Sequence, residues 1–226
     1  MHVSHKSRRF DGVVFDLDGT LIHSAPDIAA ALNIVLAEDG LAPFTVMEAG
    51  RFIGAGAARL VGDAFAARNR PLDTDHVRSL TERYVTVYAR RGSPDTTLYP
   101  GAADTIDSLR RGAIAMAICT NKPEAISRAV LAQFGLDRSF AAIIGGDSGF
   151  GLKPTATPLR EACRIMKVAP ERVLMVGDSG TDVRTAQAAA CTAAIVRHGY
   201  SQVPVETLGA AFILDSIADV AALVLA

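Results

Sequence analysis

The sequence predicts an α/β fold, in which a mainly parallel sheet forms the core and a small all-α domain is inserted. After residue 113, short apolar runs alternate with helix-length segments. These runs lack the alternation of polar and apolar residues seen in half-exposed strands, which is typical of parallel strands covered on both faces. Another apolar run, at residues 12–15, lies about a hundred residues earlier. Strands separated by helices fold as a Rossmann-like core, so the intervening residues are predicted to form the insertion.

The first predicted strand, residues 12–15, ends in two carboxylates, Asp16 and Asp18. Side chains two apart in an extended segment point to the same side, so both acids can address one substrate atom. One carboxylate can attack while the other moves a proton, and a hard cation can bind both. Gly19 allows a tight turn afterwards. The alternative is a pair of solvated acids opening a turn.

The insertion, residues 22–92, carries no clear strand and is predicted to be helical. Ser24 followed by Asp27 resembles a capping box at the start of its first helix, and Pro26 suits the first turn. Gly40 closes that segment. Two further helices are predicted, at Val61–Ala67 and His76–Arg91.

The second half of the chain continues the sheet. A helix between its first two strands has Pro123 at the start and Gly135 as a stop. We therefore predict a core of residues 1–21 and 93–226 around the inserted residues 22–92. The predicted strands of this half are residues 113–119, 141–144, 173–176, 193–196 and 212–214.

Other polar residues follow further predicted strands, or the loop after one. They are Thr120-Asn121-Lys122, Lys153-Pro154, and Asp178 and Asp182 in the run after residue 176. In a parallel sheet these positions share one edge, where open α/β sheets bind ligands. Crowded carboxylates there predict a divalent cation, and the Thr-Asn run and the lysine suit phosphate oxygens. Each piece alone has a structural explanation, as a helix cap, a solvated lysine or acids at a helix start.

The composition excludes several classes of protein. The chain has 226 residues, half of them hydrophobic, and a formal charge of −1. The near-neutral balance argues against a nucleic-acid partner. Three cysteines without CxxC spacing indicate neither a disulfide framework nor a zinc site, which fits a reducing cytoplasm. The polar residues 1–10 lack a signal-peptide core, and no apolar run has the length of a membrane span. We therefore expect a cytoplasmic protein without a membrane partner.

Taken together, the motifs resemble the haloacid dehalogenase superfamily of aspartate-nucleophile phosphatases with a helical cap. The resemblance covers essentially the whole chain, and within the superfamily it implies a small phosphorylated substrate, 2-phosphoglycolate. The runs that carry it are Phe15-Asp16-Leu17-Asp18-Gly19-Thr20-Leu21, Ser24-Ala25-Pro26-Asp27, Tyr99-Pro100-Gly101, Thr120-Asn121-Lys122-Pro123, Gly145-Gly146-Asp147-Ser148, Lys153-Pro154 and Val176-Gly177-Asp178-Ser179.

The resemblance implies a role for each site residue. Asp16 would be the nucleophile and form an aspartyl-phosphate, and Asp18 would protonate the leaving group and then activate water. Mg²⁺ would lie between the Asp16 carboxylate, the Asp18 carbonyl and the Asp178 carboxylate, with Asp182 supporting that site. The phosphoryl group would be held by Thr120, Asn121 and Lys153.

In the cap, the candidate substrate contacts are Gly54, Gly56 and Arg59. The alternative for these residues is a helix N-terminus in a Gly/Ala-rich loop, with Arg59 on a solvated face. The sequence also departs from the family pattern where substrate choice could change. The departures are His23, Phe150 and Leu152 before Lys153, Ala156, and the pair Gly180-Thr181.

Several other activities compete on the same resemblance. A dehalogenase has no use for a general acid or a metal site, so Asp18 and Asp178 argue against it. Phosphonate hydrolysis needs a cap lysine, and residues 22–92 contain none. A phosphosugar mutase and a phosphatase for a sugar phosphate, nucleotide or pyrophosphate stay open. So does an inactive binding module on the same fold.

Overall fold

A computed structural model describes residues 8–226, so most of the expectation for residues 1–10 lies outside the described residues. One sheet contains six parallel strands in the order β5-β4-β1-β6-β7-β8, and a separate antiparallel pair joins β2 to β3. The strands are β1 (Gly12–Phe15), β2 (Ile22–His23), β3 (Thr97–Leu98), β4 (Ala115–Cys119), β5 (Ala142–Ile144), β6 (Val173–Gly177), β7 (Thr192–Val196) and β8 (Phe212–Leu214).

The predicted α/β fold is confirmed, and each predicted sheet strand is present within two residues of its expected bounds. Alternate residues of the central strand β1 serve the two faces of the sheet. Val13 and Phe15 belong to one hydrophobic core, and Val14 belongs to the other. Burial on both faces is the reason that the strand reads as a continuous apolar run.

Helices cover the sheet and form most of the insertion. The first four lie between residues 25 and 91, and two of them begin four and two residues earlier than the helices predicted at 61 and 76. Within residues 8–226, every helix is too short or too polar to cross a bilayer. The helices are α1 (Ala25–Glu38), α2 (Val46–Gly50), α3 (Ala57–Ala67), α4 (Thr74–Arg91), α5 (Ala102–Arg111), α6 (Glu124–Gln133), α7 (Thr157–Met166), α8 (Gly180–Ala189) and α9 (Asp219–Leu225).

Two local predictions about the insertion are wrong. Residues 22–92 were expected to carry no strand, yet β2 pairs with β3 where the chain enters and leaves the insertion. A strand of two residues is too short to show a periodicity. Ser24 and Asp27 do not form a capping box, because Ser24 Oγ donates to Asp18 and Asp27 accepts from Thr96 Oγ1. Long-range partners have replaced the local hydrogen bonds.

Candidate active site

The predicted polar residues come together at the carboxyl edge of the sheet. Asp16 and Asp18 follow β1, which lies between β4 and β6. Thr120 follows β4 and Asp178 follows β6, so three neighbouring strands deliver side chains to one place. Lys153 arrives from the loop after β5, the next strand outward. This is the edge where open α/β sheets bind ligands.

Gly19 permits the close approach of the first motif to Asp178. Its φ is +83°, which favours glycine. A Cβ at this position would lie 2.4 Å from Asp178 Oδ2, so any other residue would displace that carboxylate. On its other side, the backbone N–H of Tyr200 donates to Asp178 Oδ2 at 2.6 Å, and a Cβ on Gly199 would lie 2.1 Å from Asp178 Cβ. The carboxylate of Asp178 is therefore clamped between two glycines.

Lys153 is a buried cation shared by two carboxylates. Its Nζ lies 2.9 Å from Asp16 Oδ1 and 2.6 Å from Asp182 Oδ1. Burial alone would lower the pKa of Lys153, but the two carboxylates outweigh it and hold that pKa above its ordinary value. The ammonium is therefore charged at neutral pH. Both oxygens of Asp182 are engaged, because Oδ2 accepts from the Ser179 hydroxyl at 2.8 Å. Asp182 thus orients Lys153 and caps α8.

Burial dominates the ionisation of the remaining acids. It raises the pKa of Asp16 to about 6, with Lys153 opposing the shift and Asp182 adding to it. Burial, then repulsion from Asp182 and Asp16, raises the pKa of Asp178 well above its usual range. The single ammonium of Lys153 therefore does not compensate the combined negative charge of Asp16, Asp178 and Asp182.

The cluster fits a divalent cation. Oxygens of Asp16, Asp178 and Asp182 lie within 4.8 Å of one another, and Lys153 is the only cationic side chain paired with them among residues 8–226. Lys153 Nζ is near Asp16 Oδ1 but is not aligned with it, so this buried oxygen has no hydrogen-bond donor within the described range. An all-oxygen donor set with uncompensated negative charge is what Mg²⁺ prefers.

Asp18 has partners that its motif did not reveal. Its Oδ1 accepts from Ser24 Oγ at 2.5 Å and from Lys122 Nζ at 2.9 Å. The Lys122 ammonium also donates to the Tyr88 hydroxyl at 2.7 Å. Burial by itself would lower the pKa of Lys122, but Asp18 and Tyr88 outweigh burial and raise that pKa above its ordinary value. The sequence places Lys122 directly after Thr120-Asn121, and this position is the only sequence signal for it and predicts no role of its own.

Asn121 and Thr120 differ in the hydrogen-bonding groups that they leave available to a phosphate. The Asn121 amide donates to the carbonyls of Gly54 and Lys153, at 3.0 and 3.1 Å, and its Oδ1 accepts from the Lys153 backbone N–H. Its side chain therefore joins the insertion to the Lys153 loop, which leaves only its backbone N–H for a phosphate. The Thr120 hydroxyl accepts from the Lys122 N–H at 3.3 Å and keeps its own proton to donate.

Comparison with known proteins agrees with this geometry. The family model of the haloacid dehalogenase-like hydrolases matches residues 10–190. The chain belongs to this family. The hydrolase is 46% identical over 197 residues to a phosphoglycolate phosphatase from Cereibacter sphaeroides, an alignment that covers 87% of this chain and 89% of that protein. It is thus an enzyme of the phosphoric monoester hydrolase class.

Solved structures share the fold of the hydrolase. One, described as a predicted phosphoglycolate phosphatase from Haemophilus somnus, has a TM-score of 0.86 at 29% identity and is matched over 95% of this chain and 97% of that one. Another is CbbY from Rhodobacter sphaeroides in complex with phosphate, with a TM-score of 0.75 at 25% identity over 93% and 96% of the two chains.

A small cavity opens between the sheet edge of the hydrolase and the inserted helices. Its volume is about 40 Å³, room for about three water molecules. Two catalytic candidates and two cap candidates line it, together with apolar and tyrosine side chains of the insertion. Its lining includes Asp16, Asp18, Gly54, Gly56, Ala57, Leu60, Tyr84, Tyr88 and Lys122.

Arg59 is not part of this cavity. Its side chain is 69% exposed and pairs with Asp63 at 2.7 Å, one helical turn along α3. Arg59 therefore occupies the solvated face that was the alternative for it, whereas Gly54 and Gly56 do line the cavity. The spacing of a residue along a helix does not tell which side of the helix faces a ligand.

Tyr200 is a further residue that sequence reasoning missed. Its hydroxyl accepts from the backbone N–H groups of Ser24 and Ala25, at 2.9 and 3.1 Å, and lies 3.0 Å from His23 Nδ1. Its backbone N–H holds Asp178, as described above. Tyr200 thus connects the start of α1 to the acid cluster, and His23 belongs to the same network.

Proposed function

We propose that the hydrolase removes the phosphoryl group from 2-phosphoglycolate, with Mg²⁺ bound, through an aspartyl-phosphate on Asp16. The observation that carries the proposal is the arrangement of Asp16 and Asp18 beside Asp178 and Lys153 at one sheet edge. Relatives named phosphoglycolate phosphatases add support. The fold and the family alone would leave the substrate undecided.

In the first step, a carboxylate oxygen of Asp16 attacks phosphorus, and the bond from phosphorus to the glycolate oxygen breaks. Asp18 donates a proton to that leaving oxygen. In the second step, Asp18 takes a proton from water, whose oxygen attacks phosphorus and releases Asp16 and inorganic phosphate. Asp18 lies at the cavity wall and is oriented by Ser24, which suits both transfers.

Other residues hold the phosphoryl group. The Lys153 ammonium, the Thr120 hydroxyl and the Asn121 backbone N–H are the donors proposed for its oxygens. Asp16, the Asp18 carbonyl and Asp178 would bind Mg²⁺, with Asp182 supporting the site. The bound ion would neutralise the negative charge that the phosphoryl group adds to these acids.

The cavity favours a small ester. A volume of about 40 Å³ leaves less room for a hexose phosphate or a nucleotide than for a two-carbon phosphate. We further propose that residues 22–92 act as a cap over residues 1–21 and 93–226, because Asn121 ties Gly54 to the Lys153 loop. We infer a cytoplasmic location from the three unpaired cysteines, which are typical of a reducing compartment.

Phosphonate hydrolysis remains disfavoured, although the cavity does contain a lysine. A Schiff base needs a neutral amine, whereas Asp18 and Tyr88 keep Lys122 protonated. The alternatives left are a sugar phosphatase, a nucleotide or pyrophosphate hydrolase, a phosphosugar mutase and an inactive binding module.

A panel of esters tests the proposal. Purified hydrolase with Mg²⁺ is assayed on 2-phosphoglycolate, a hexose phosphate, a pentulose bisphosphate, a nucleotide and pyrophosphate, with the Asp16→Asn variant as control. We expect 2-phosphoglycolate to give the highest kcat/KM and Asp16→Asn to release no phosphate. Another ester preferred by more than about tenfold, near 1.4 kcal/mol in transition-state binding, would refute the substrate. Unchanged turnover by folded Asp16→Asn would refute the mechanism.

A further inference from the structure

The cavity contains a cation that the proposed chemistry does not use. Lys122 lines the cavity, and its side chain is 2% exposed. A protonated lysine has three N–H donors. Asp18 and Tyr88 accept two of them, and the third has no acceptor among residues 8–226. A buried ammonium with an unused donor is costly unless a further polar group completes it.

Positioning Asp18 does not by itself account for Lys122. Ser24 Oγ already donates to the same carboxylate oxygen, at 2.5 Å. The phosphoryl group has a different buried cation, since Lys153 lies beside the nucleophile Asp16. Lys122 is thus a second positive centre, placed against Asp18 and the tyrosines of the insertion.

A second unsatisfied group lines the same cavity. Tyr84 is 3% exposed, and within the described range its hydroxyl has no hydrogen-bond partner, unlike the Tyr88 hydroxyl beside it. The two rings lie 5.9 Å apart. A hydroxyl without a protein partner, on a residue that lines a cavity, is available to a ligand.

The first turn of α3 adds backbone donors. Gly56 is its N-cap, with no side chain to cap the helix, and both Gly56 and Ala57 line the cavity. The first N–H groups of a helix lack partners inside the helix, and its dipole favours an anion there. Ammonium, hydroxyl and helix N-terminus thus present donors, and the walls beside them are apolar at Ile53 and Leu60.

We propose that this part of the cavity binds a second, non-reacting anionic group of the substrate, between Lys122, the Tyr84 hydroxyl and the first turn of α3. The inference rests on the proposed function, in which that group is the carboxylate of 2-phosphoglycolate. A neutral group such as an amide offers the third N–H of Lys122 only an uncharged acceptor, whereas a carboxylate also compensates the buried ammonium, so the subsite selects for charge. Arg59 takes no part, because it lies on the solvated face of α3.

Binding to the non-hydrolysing Asp16→Asn hydrolase tests the subsite. Titration calorimetry with Mg²⁺ gives the Kd of 2-phosphoglycolate and of its carboxamide, which has nearly the same shape without the charge. A charge-assisted hydrogen bond contributes on the order of 1.5–3 kcal/mol, so we expect the acid to bind about 10- to 100-fold more tightly. Adding Lys122→Met should reduce this ratio to within about threefold, and adding Tyr84→Phe should reduce it several-fold.

Controls separate the possible outcomes. Lys167→Met removes an exposed lysine outside the cavity and should leave the ratio unchanged. Binding of inorganic phosphate reports whether each variant keeps an intact phosphoryl site. Equal weakening of acid and amide by Lys122→Met, with the ratio preserved, would overturn the subsite and reduce Lys122 to a positioning residue for Asp18. An unchanged ratio of acid to amide affinity in Tyr84→Phe would show that the Tyr84 hydroxyl is not part of the subsite.

The same measurements distinguish a failure of the proposed subsite from a failure of the proposed substrate. If 2-phosphoglycolate is not preferred but a bisphosphate binds more tightly than its monophosphate, and Lys122→Met abolishes that preference, the anionic subsite is supported and the substrate is refuted. If no anionic ester is preferred over its neutral counterpart, the subsite is refuted, whatever the panel of substrates gives.

Discussion

Asn121→Ala should destabilise the hydrolase in the absence of any ligand. The substitution removes three hydrogen bonds, at 3.0, 3.1 and 2.9 Å, that join the amide to Gly54 and to the Lys153 backbone. A typical hydrogen bond contributes about 0.5–1.5 kcal/mol, and a buried group left unpaired costs about 1–3 kcal/mol. We expect the free energy of unfolding to fall by roughly 2–4 kcal/mol, most of it from the buried Lys153 backbone groups.

Urea denaturation without phosphate or Mg²⁺ measures this effect. Asn33→Ala is a matched control, because its amide also bridges a backbone, with two hydrogen bonds of 2.8 Å to Phe44, away from the cavity. It should destabilise the hydrolase less and leave KM unchanged, whereas Asn121→Ala should also raise KM through the displaced Lys153 loop. If Asn121 were only a phosphate ligand, Asn121→Ala would leave the unliganded stability within about 0.5 kcal/mol, and that result would refute our reasoning.

Three other outcomes are expected. Asp18→Asn should lower kcat on 2-phosphoglycolate by about 10²- to 10⁴-fold with an unchanged circular dichroism spectrum; a loss below tenfold would remove Asp18 as the acid and base. In metal-free protein, burial raises the pKa of Asp16 from 3.8 to about 6. Because ionising Asp16 is more costly in the folded than in the unfolded chain, wild type should lose stability relative to Asp16→Asn as the pH rises through that window. Urea titrations across it check this, and a pH-independent difference would contradict it. Arg59→Ala should leave KM within about twofold, since the exposed i,i+4 pair of Arg59 with Asp63 contributes about 0.3–0.5 kcal/mol. A large rise in KM would show that Arg59 does contact the substrate.

The sequence by itself determined the layer structure and the edge where the site lies. Strands such as β1 and β6 are buried on both faces, so their composition must be continuously apolar, and this local property is readable without a structure. The site residues follow such strands directly. Because the ends of parallel strands lie on one edge, the position of Asp16 and Asp178 in the chain was sufficient to predict that they meet.

Only the tertiary structure decided what each polar side chain bonds to. Lys122 and Asp18 are 104 residues apart, and Ser24 and Tyr200 are 176 apart, so no local pattern could pair them. Ser24 and Asp27 had the spacing of a capping box and bond elsewhere, because partners brought in by packing outcompeted the local ones. The bond from Asn121 to Gly54 and the exposed position of Arg59 likewise depend on tertiary packing and could not be predicted from the sequence. Residue type and spacing indicate what a side chain can do, whereas its direction and neighbours depend on how distant segments pack against each other.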